Sequence, residues 1–364
     1  MLFEPYNLNV SYDITTYCNA KCPQCHRTNK NGLARNESVP LVHVPKEKIF
    51  KTFTPDLLSR INYLALVPTW GDTMMHPDIY EIIEYFLEVN KERQDFSVSI
   101  DTNGSMRDED FWFKFGCLQR KTHGPRLHVK WDIDGHNQEI HSHYRRNTNL
   151  DKILRNMEAF SQTLARTTSQ TILFKHNQPY MKEIKEVATK AGSTQHTFVM
   201  SERFYNKSSN GNNYYEFIDE AGATQILEKA DESKLKNTFI AHMSDEEDYE
   251  EYKKRVVCRW ALINKININF DGQVWPCCYF GYSDIGSDDI SHQEQFYKAD
   301  LIKEYNKNRL ENNIYYNTIE DMLKNKWWTE YLPKSIEEDP VPQCTRNCSS
   351  YDPNSRVQLR TVDV

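Results

Sequence analysis

Three closely spaced cysteines constrain this chain more than any other feature. Cys18, Cys22 and Cys25 follow a predicted first strand in the spacing Cys-x3-Cys-x2-Cys. Thiolates packed this closely suit a soft metal or an iron–sulfur cluster, and three ligands leave one iron of a four-iron cluster open. A zinc site completed by His26 is one alternative. Disulfides are another, but nine cysteines is an odd count and no signal-peptide pattern precedes them.

The composition narrows the class of protein and of partner. A length of 364 residues favours one large domain plus a smaller one. The formal charge of -7 argues against a phosphate-binding surface, so we expect no nucleic-acid partner. No apolar run is long enough to cross a membrane. We therefore expect a cytoplasmic protein with reduced thiols and no membrane partner.

Short strands alternate with amphipathic helices through the first 203 residues. Strands are predicted at about 8–16, 61–69, 96–103, 127–134, 169–177 and 194–203. Helices are predicted at about 46–59, 77–92, 108–121, 149–165 and 180–191. This alternation indicates βαβ units and a parallel sheet with right-handed crossovers.

The cysteine spacing together with six such strands resembles the radical S-adenosylmethionine (SAM) enzymes. The resemblance implies an α/β fold, a partial (βα)6 TIM-like barrel, whose chemistry lies at the carboxyl ends of the strands. It also implies a [4Fe-4S] cluster on the three cysteines, with SAM chelating the open iron. Positions that match the family's SAM-binding motifs are Gly71, Asp72, Asn103, Asp132, Arg145 and Asn177.

Polar residues alternate with apolar ones along the predicted fourth strand. His128, Lys130, Asp132 and Asp134 share one face, which we expect to point into the barrel. Polar residues of the third and fifth strands, including Asp101, Lys175 and Asn177, repeat the pattern. A dry, unpaired polar core is costly, so a cavity with a polar ligand is favoured over a solvated edge strand. The substrate contacts predicted from this face are Asp101, His128, Lys130 and Lys175.

A second cysteine set lies near the end of the chain. Cys258 precedes an alternating strand at 266–270, an Asp-Gly turn and Cys277, which together predict a β-hairpin. Cys344 and Cys348 follow a predicted helix at about 318–332. The arrangement resembles the twitch domain, a shortened SPASM domain, which implies a fully ligated auxiliary [4Fe-4S] cluster on these four cysteines. Structural zinc is the alternative.

Two further cysteines are not expected to bind a cluster. Cys278 follows Cys277 on the hairpin, where adjacent side chains point to opposite faces, and Cys117 lies in an aromatic helix and is expected in the core. The predicted domains are the barrel at 1–203, a connector at 204–257, the auxiliary β-hairpin-plus-helix domain at 258–348 and a tail at 349–364. The connector is expected to hold a loop at 206–213 and a solvated acidic helix face at 244–251, and to cover the barrel mouth.

The resemblance implies a radical SAM oxidoreductase. A low-potential donor of the flavodoxin or ferredoxin type would reduce the first cluster. SAM would then be cleaved to a 5′-deoxyadenosyl radical that abstracts a hydrogen atom from the substrate. The auxiliary cluster would relay an electron. Peptide-modifying relatives often carry a peptide-recognition domain before the barrel, whereas 17 residues precede Cys18. We therefore expect a small polar substrate. The alternatives are modification of a peptide or protein side chain and, in another class, a zinc-stabilised interaction protein.

Overall fold

The computed structural model describes residues 2–67, 69–121, 126–204, 213–231, 253–285, 290–349 and 361–362. Its strands are β1 Leu8–Tyr12, β2 Ile61–Leu66, β3 Ser97–Thr102, β4 Leu127–Asp132, β5 Arg166–Leu173, β6 His196–Met200, β7 Tyr214–Ile218, β8 Thr224–Glu228, β9 Lys265–Ile268, β10 Val274–Trp275 and β11 Thr361–Val362. The α-helices are Lys46–Thr52, Pro55–Ser59, Ile79–Val89, Glu109–Gly116, Gln138–Tyr144, Leu150–Ser161, Met181–Lys190, Arg259–Leu262, Cys278–Ile285, Ile290–Lys298, Asp300–Lys307, Ile319–Lys324, Leu332–Glu338 and Pro342–Cys348. Within the described ranges no helix is both long and apolar enough to cross a membrane.

All six predicted barrel strands are present, each shorter than expected. The helix predicted at 46–59 is two helices, because the Thr54 side chain accepts a hydrogen bond from the Leu57 amide and Pro55 begins a new helix. The helix at Gln138–Tyr144 was not predicted. Asn137 begins it by accepting a hydrogen bond from the amide of Ile140.

One compact unit contains the described residues of Met1–Ile14, Val44–Ala65 and Ile240–Gln358. Its strands lie in the order β10, β9, β1, β2. β1 pairs in parallel with both β2 and β9, and β10 returns antiparallel to β9. The predicted hairpin is therefore present, and Gly272 makes its turn with a φ of +86°. The domain boundaries at 203, 257 and 348 stay predictions.

The second unit contains the described residues of Thr15–His43, Leu66–Phe239 and Leu359–Val364. β3, β4, β5 and β6 are parallel neighbours in that order, and β11 lies antiparallel to β6. Trp112 and Trp131 pack in the core of this unit, with ring centroids 4.4 Å apart. The strands β1 to β6, with their intervening helices, give the α/β order of a partial (βα)6 barrel.

The described residues of the predicted connector include a β-hairpin that was not predicted. β7 and β8 pair antiparallel from Tyr214 opposite Glu228 to Ile218 opposite Thr224. The Asp219 carboxylate accepts hydrogen bonds from the amides of Ala221 and Ala223 and closes the turn. Residues 206–212 of the predicted loop, the acidic run at 244–251 and most of the predicted tail lie outside the described residues.

Candidate active site

The first three cysteines lie in one apolar cluster. Cys22 is buried, and Cys18 and Cys25 pack partly buried against the same side chains, which include Tyr144 and Phe174. The Cys25 amide donates to the Cys22 carbonyl at 3.0 Å, which makes a tight turn between these two thiols. Burial raises the pKa of the Cys22 thiol to about 12. Three sulfur donors in an apolar surrounding fit an iron–sulfur cluster by their chemistry, although no three Cys, His, Asp or Glu side chains among the described residues are grouped to hold a metal ion.

Gly71 and Asp72 press against the chain just before Cys18. A Cβ on Gly71 would lie 2.4 Å from the Thr15 carbonyl oxygen and 2.7 Å from that of Tyr17. The Asp72 amide donates to the same Tyr17 carbonyl at 2.7 Å. Glycine is therefore required at position 71, because any side chain would displace the backbone that leads into the cysteine loop.

The Asp72 carboxylate is fully buried and accepts hydrogen bonds from neighbouring groups of the protein. Its donors are the Met74 amide at 3.0 Å, the Thr102 hydroxyl at 2.9 Å and the Asn103 amide at 2.8 Å. The Asn103 side-chain nitrogen also donates, at 2.7 Å. Burial raises the pKa of Asp72 to about 6, and the hydrogen bonds oppose that rise. The Asp72 carboxylate is thus occupied by donors of the protein itself. A contact between SAM and the main chain of Gly71 and Asp72 stays a prediction.

Asn103 connects this carboxylate to the first cysteine. Its Nδ2 lies 3.8 Å from the Cys18 Sγ and donates to Asn19 Oδ1 at 3.0 Å. Its Oδ1 accepts from the Ser105 amide at 3.0 Å, which fixes the amide with nitrogen towards the cysteine loop. Asn103 therefore lies beside the first cysteine of the loop, and its predicted SAM contact stays a prediction.

Arg145 is a buried cation between two buried carboxylates and a thiol. Its Nε lies 2.5 Å from Asp134 Oδ2, and its Nη1 lies 3.1 Å from Asp132 Oδ2. The same Nη1 lies 4.0 Å from the Cys22 Sγ. Burial alone would lower the pKa of Arg145, but the two carboxylates raise it well above its ordinary value. Arg145 and Asp132 thus lie together beside the cysteine loop, and their predicted SAM contacts remain predictions.

Asn177 holds the ends of two strands together. β5 ends at Leu173, so Asn177 lies in the loop beyond it, and its expected position on the strand is wrong. Its Nδ2 donates to the carbonyls of Asp134 at 3.1 Å and Ile172 at 2.9 Å, and its Oδ1 accepts from the Phe174 amide at 2.9 Å. Both amide hydrogens are used by the backbone. A SAM contact of Asn177 stays a prediction.

Three of the predicted substrate contacts lie close together on β3 and β4. The register places Asp101 opposite Lys130, and their side chains form an ion pair at 2.6 Å. His128 Nδ1 lies 3.4 Å from the Ser99 hydroxyl, and its Nε2 lies 2.6 Å from that of Thr168. Burial lowers the pKa of His128 to about 4, so the imidazole is neutral at pH 7. The three predicted residues therefore share one polar face.

Lys175 does not join this polar face. It lies beyond the end of β5, it is exposed, and its ammonium pairs with Glu228 of β8 at 2.6 Å. The expectation that Lys175 points inward on the fifth strand is wrong, because that strand ends two residues earlier. Its role as a substrate contact stays a prediction.

The hairpin β7–β8 covers the cysteine loop, and this hairpin was not predicted from the sequence. Phe217 and Leu227 are buried in the same apolar cluster as Cys22. The Ile218 amide donates to the Lys30 carbonyl at 2.8 Å, and the Gly32 amide donates to the Ile218 carbonyl at 2.9 Å. The alternating run at 214–218 and the Asp-Glu-Ala-Gly turn were the available signals for this hairpin.

The second cysteine set also comes together, in the first unit. Side chains of the predicted auxiliary site line one small cavity: Cys258, Cys277, Cys344 and Cys348, with Trp260, Phe280 and Leu332 among its apolar walls. Burial raises the pKa values of the Cys277 and Cys344 thiols well above their ordinary range. The Arg259 guanidinium donates to the Tyr279 hydroxyl at 3.1 Å and also hydrogen-bonds Cys348. Four thiols around one apolar cavity fit a fully ligated cluster by donor number.

The two remaining cysteines lie at helix ends. Cys278 begins the helix Cys278–Ile285, so its expected position on the hairpin is wrong. Cys117 is partly buried just after the helix Glu109–Gly116. All nine cysteines are unpaired in this structure.

Comparisons with known proteins connect this site to a family. Residues 12–188 match the model of the Radical SAM superfamily. Over 142 residues, 39% of this chain, the sequence is 28% identical to the antilisterial bacteriocin subtilosin biosynthesis protein AlbA of Bacillus subtilis (strain 168). That alignment spans 27% of the length of AlbA.

Solved structures share the fold at low sequence identity. Streptococcus suis SuiB bound to precursor peptide SuiA superposes with a TM-score of 0.55 and 12% identity, covering 92% of this chain and 68% of SuiB. Native anSMEcpe with bound AdoMet gives a TM-score of 0.52 and 13% identity, covering 90% of this chain and 84% of that one. The chain therefore shares the mostly parallel α/β fold of the partial-barrel type with these structures. Its residues 12–188 are similar to the Radical SAM superfamily, a family that implies SAM and a [4Fe-4S] cluster as cofactors.

Proposed function

We propose that this chain is a radical SAM oxidoreductase that modifies a peptide or protein side chain. The observation that carries the proposal is the packing of Cys18, Cys22 and Cys25 around one apolar cluster, within a segment that matches the family. In this proposal the three thiolates hold a [4Fe-4S] cluster whose open iron binds SAM. The cluster and SAM together supply a 5′-deoxyadenosyl radical that abstracts hydrogen from the substrate.

The residues around the cysteines have separate tasks in this proposal. The hairpin β7–β8 keeps water from the cluster, because Phe217 and Leu227 close the apolar surrounding of Cys22. Arg145 and Asp132 orient the bound SAM from their positions beside Cys22, and the main chain of Gly71 and Asp72 receives its amino group. A charged pair held in a buried site needs no reorganisation when the ligand binds.

The second cysteine set serves as an auxiliary [4Fe-4S] site. Cys258, Cys277, Cys344 and Cys348 would hold the cluster with a complete ligand set, and the cluster would supply electron transfer without a free iron for the substrate. Arg259 lies beside Cys348 and stabilises negative charge there. A flavodoxin or ferredoxin supplies electrons to the first cluster. A site that holds zinc in an interaction protein is the rival from another class.

The likenesses favour a peptide over the small polar substrate that we expected from the sequence. AlbA is a bacteriocin biosynthesis protein, and the SuiB structure that superposes on 92% of this chain contains a precursor peptide. One observation favours a small polar ligand, namely the partly exposed ion pair of Lys130 and Asp101 beside His128. The two substrate classes are therefore separated by experiment.

Deuterium transfer distinguishes the two classes. Anaerobically reconstituted, reduced protein is incubated with SAM and an extract of deuterium-labelled cells, divided by ultrafiltration into a macromolecular and peptide fraction and a small-molecule fraction. Deuterium in 5′-deoxyadenosine from the peptide fraction alone supports the proposal. Transfer from the small-molecule fraction alone restores the small polar substrate. Protein without Cys18, Cys22 and Cys25 is the control, and formation of 5′-deoxyadenosine by that control overturns the cluster assignment.

A further inference from the structure

The first cysteine of the loop is held from two directions by one residue, Asp72, through its main chain and through its side chain. The Asp72 main chain binds the Tyr17 carbonyl, one residue before Cys18. The Asp72 side chain binds Asn103, whose Nδ2 lies against both the Cys18 Sγ and Asn19. Residues on both sides of the thiol are thus connected to the same buried group.

We infer that Asp72 is a positioning residue that holds the Asn103 amide against the Cys18 sulfur and thereby tunes the reduction potential of the cluster. The inference rests on the proposed function for the cluster itself. It assigns the Asp72 side chain to the cysteine loop and not to SAM.

The hydrogen-bond geometry supports a fixed donor. Asp72 receives both the main-chain amide of Asn103 at 2.8 Å and its side-chain nitrogen at 2.7 Å. The Ser105 amide holds the Asn103 oxygen from the other end at 3.0 Å. An amide restrained at both ends cannot turn away, so its N–H dipole stays directed at the loop. The two hydrogens on Asn103 Nδ2 face three acceptors, which are Asp72 Oδ2, Asn19 Oδ1 and Cys18 Sγ. When Cys18 is a ligating thiolate, its negative charge strengthens the hydrogen bond to its sulfur.

Hydrogen bonds to ligating sulfurs set cluster potentials, because they stabilise the reduced, more negative state. Loss of the Asn103 donor therefore makes reduction harder. We expect Asn103→Ala to decrease the ratio of reduced to oxidised cluster about tenfold at a fixed applied potential, a shift of about 59 mV to more negative values for a one-electron couple.

A double-mutant cycle on the midpoint potential tests the role of Asp72. The potential of the first cluster is measured by EPR-monitored redox titration, without SAM, in wild type, Asn103→Ala, Asp72→Ala and the double variant. If Asp72 acts through Asn103, the shift caused by Asn103→Ala largely disappears in the Asp72→Ala background. An equal shift in both backgrounds overturns the role of Asp72. A wild-type potential in Asn103→Ala overturns the sulfur contact.

Asn156→Ala is the matched control, because Asn156 is also a fully buried amide and binds the Gly104 carbonyl at 2.9 Å, next to Asn103. We expect it to leave the potential unchanged, and a shift as large as that of Asn103→Ala would mean general loosening and overturn the inference. A wild-type protein that binds no iron–sulfur cluster would instead refute the proposed function.

A second measurement covers variants that do not load iron. In metal-free protein, the alkylation rate of Cys18 relative to Cys117 is followed by mass spectrometry. We expect Asn103→Ala to lower this ratio several-fold, because the reacting thiolate loses the N–H donor that stabilises its charge. The effect should largely disappear in the Asp72→Ala background, and Asn156→Ala should leave the ratio unchanged. Equal ratios in wild type and Asn103→Ala would overturn the inference.

Discussion

Replacing Arg145 by methionine leaves two buried carboxylates without their cation. Asp134 is completely buried and Asp132 is nearly so, and Arg145 is the cation that pairs with both. Burial raises the pKa of Asp134 even with this cation in place. Removing one partner of a buried ion pair costs about 3–5 kcal/mol, because the remaining charge stays buried without compensation. We expect Arg145→Met to lower the free energy of unfolding by that amount.

Urea unfolding of the metal-free protein, followed by circular dichroism, measures this loss. Arg155→Met is the matched control, since Arg155 pairs with Glu109 at 2.8 Å on the surface, where both side chains are 55% exposed. Exposed pairs contribute about 0.2–1 kcal/mol. Adding Asp134→Asn to Arg145→Met is expected to recover part of the loss. A difference below about 1 kcal/mol between Arg145→Met and the control would refute the buried-pair reasoning.

The remaining predictions concern the hairpin β7–β8, Gly71 and the pH dependence of the unfolding free energy. Phe217→Ala should destabilise the protein by about 3–5 kcal/mol and speed the bleaching of the first cluster in air. Tyr214→Ala, on the exposed face of β7, is the control and should do neither. Equal bleaching rates in the two variants would contradict the role of the hairpin. Gly71→Ala should reduce iron bound at the first site, because its methyl group would lie 2.4 Å from the Thr15 carbonyl, and full iron occupancy would contradict that. Burial lowers the pKa of His141 to about 3, so its stability contribution is complete above pH 6.5 and is lost as the pH falls. This loss is about 2 kcal/mol between pH 7 and pH 5, and His141→Gln should remove it from the pH profile of the unfolding free energy; an unchanged profile would refute the assignment.

The strands of the barrel were predictable because their side chains alternate between two environments. The common polar face of Asp101 and Lys130 was predictable from that period, whereas their ion pair depends on the register of β3 and β4. The residue at which a strand ends depends on contacts with residues that are distant in sequence, and a local sequence pattern carries no information about those contacts. Asn177 ends β5 by binding the carbonyl of Asp134, and Lys175 consequently lies outside the sheet.

The grouping of Cys18, Cys22 and Cys25 was predictable from their spacing, but the contacts that support the group were not. Asp72 and Asn103 are 31 positions apart, and no spacing rule connects them. The hairpin β7–β8 was overlooked because the polar run before it suggested a loop, although Phe217 and Leu227 alternate with polar neighbours. Their burial depends on the cysteine loop that they cover.

The central claim is that two separate cysteine sets hold two iron–sulfur clusters. Iron, acid-labile sulfide and zinc are measured in anaerobically reconstituted wild-type protein and in the variant with Cys18, Cys22 and Cys25 changed to alanine. We expect about eight iron and eight sulfide per chain in the wild type and about half of each in the variant. Unchanged iron in the variant, or zinc without iron in protein purified anaerobically, would contradict it.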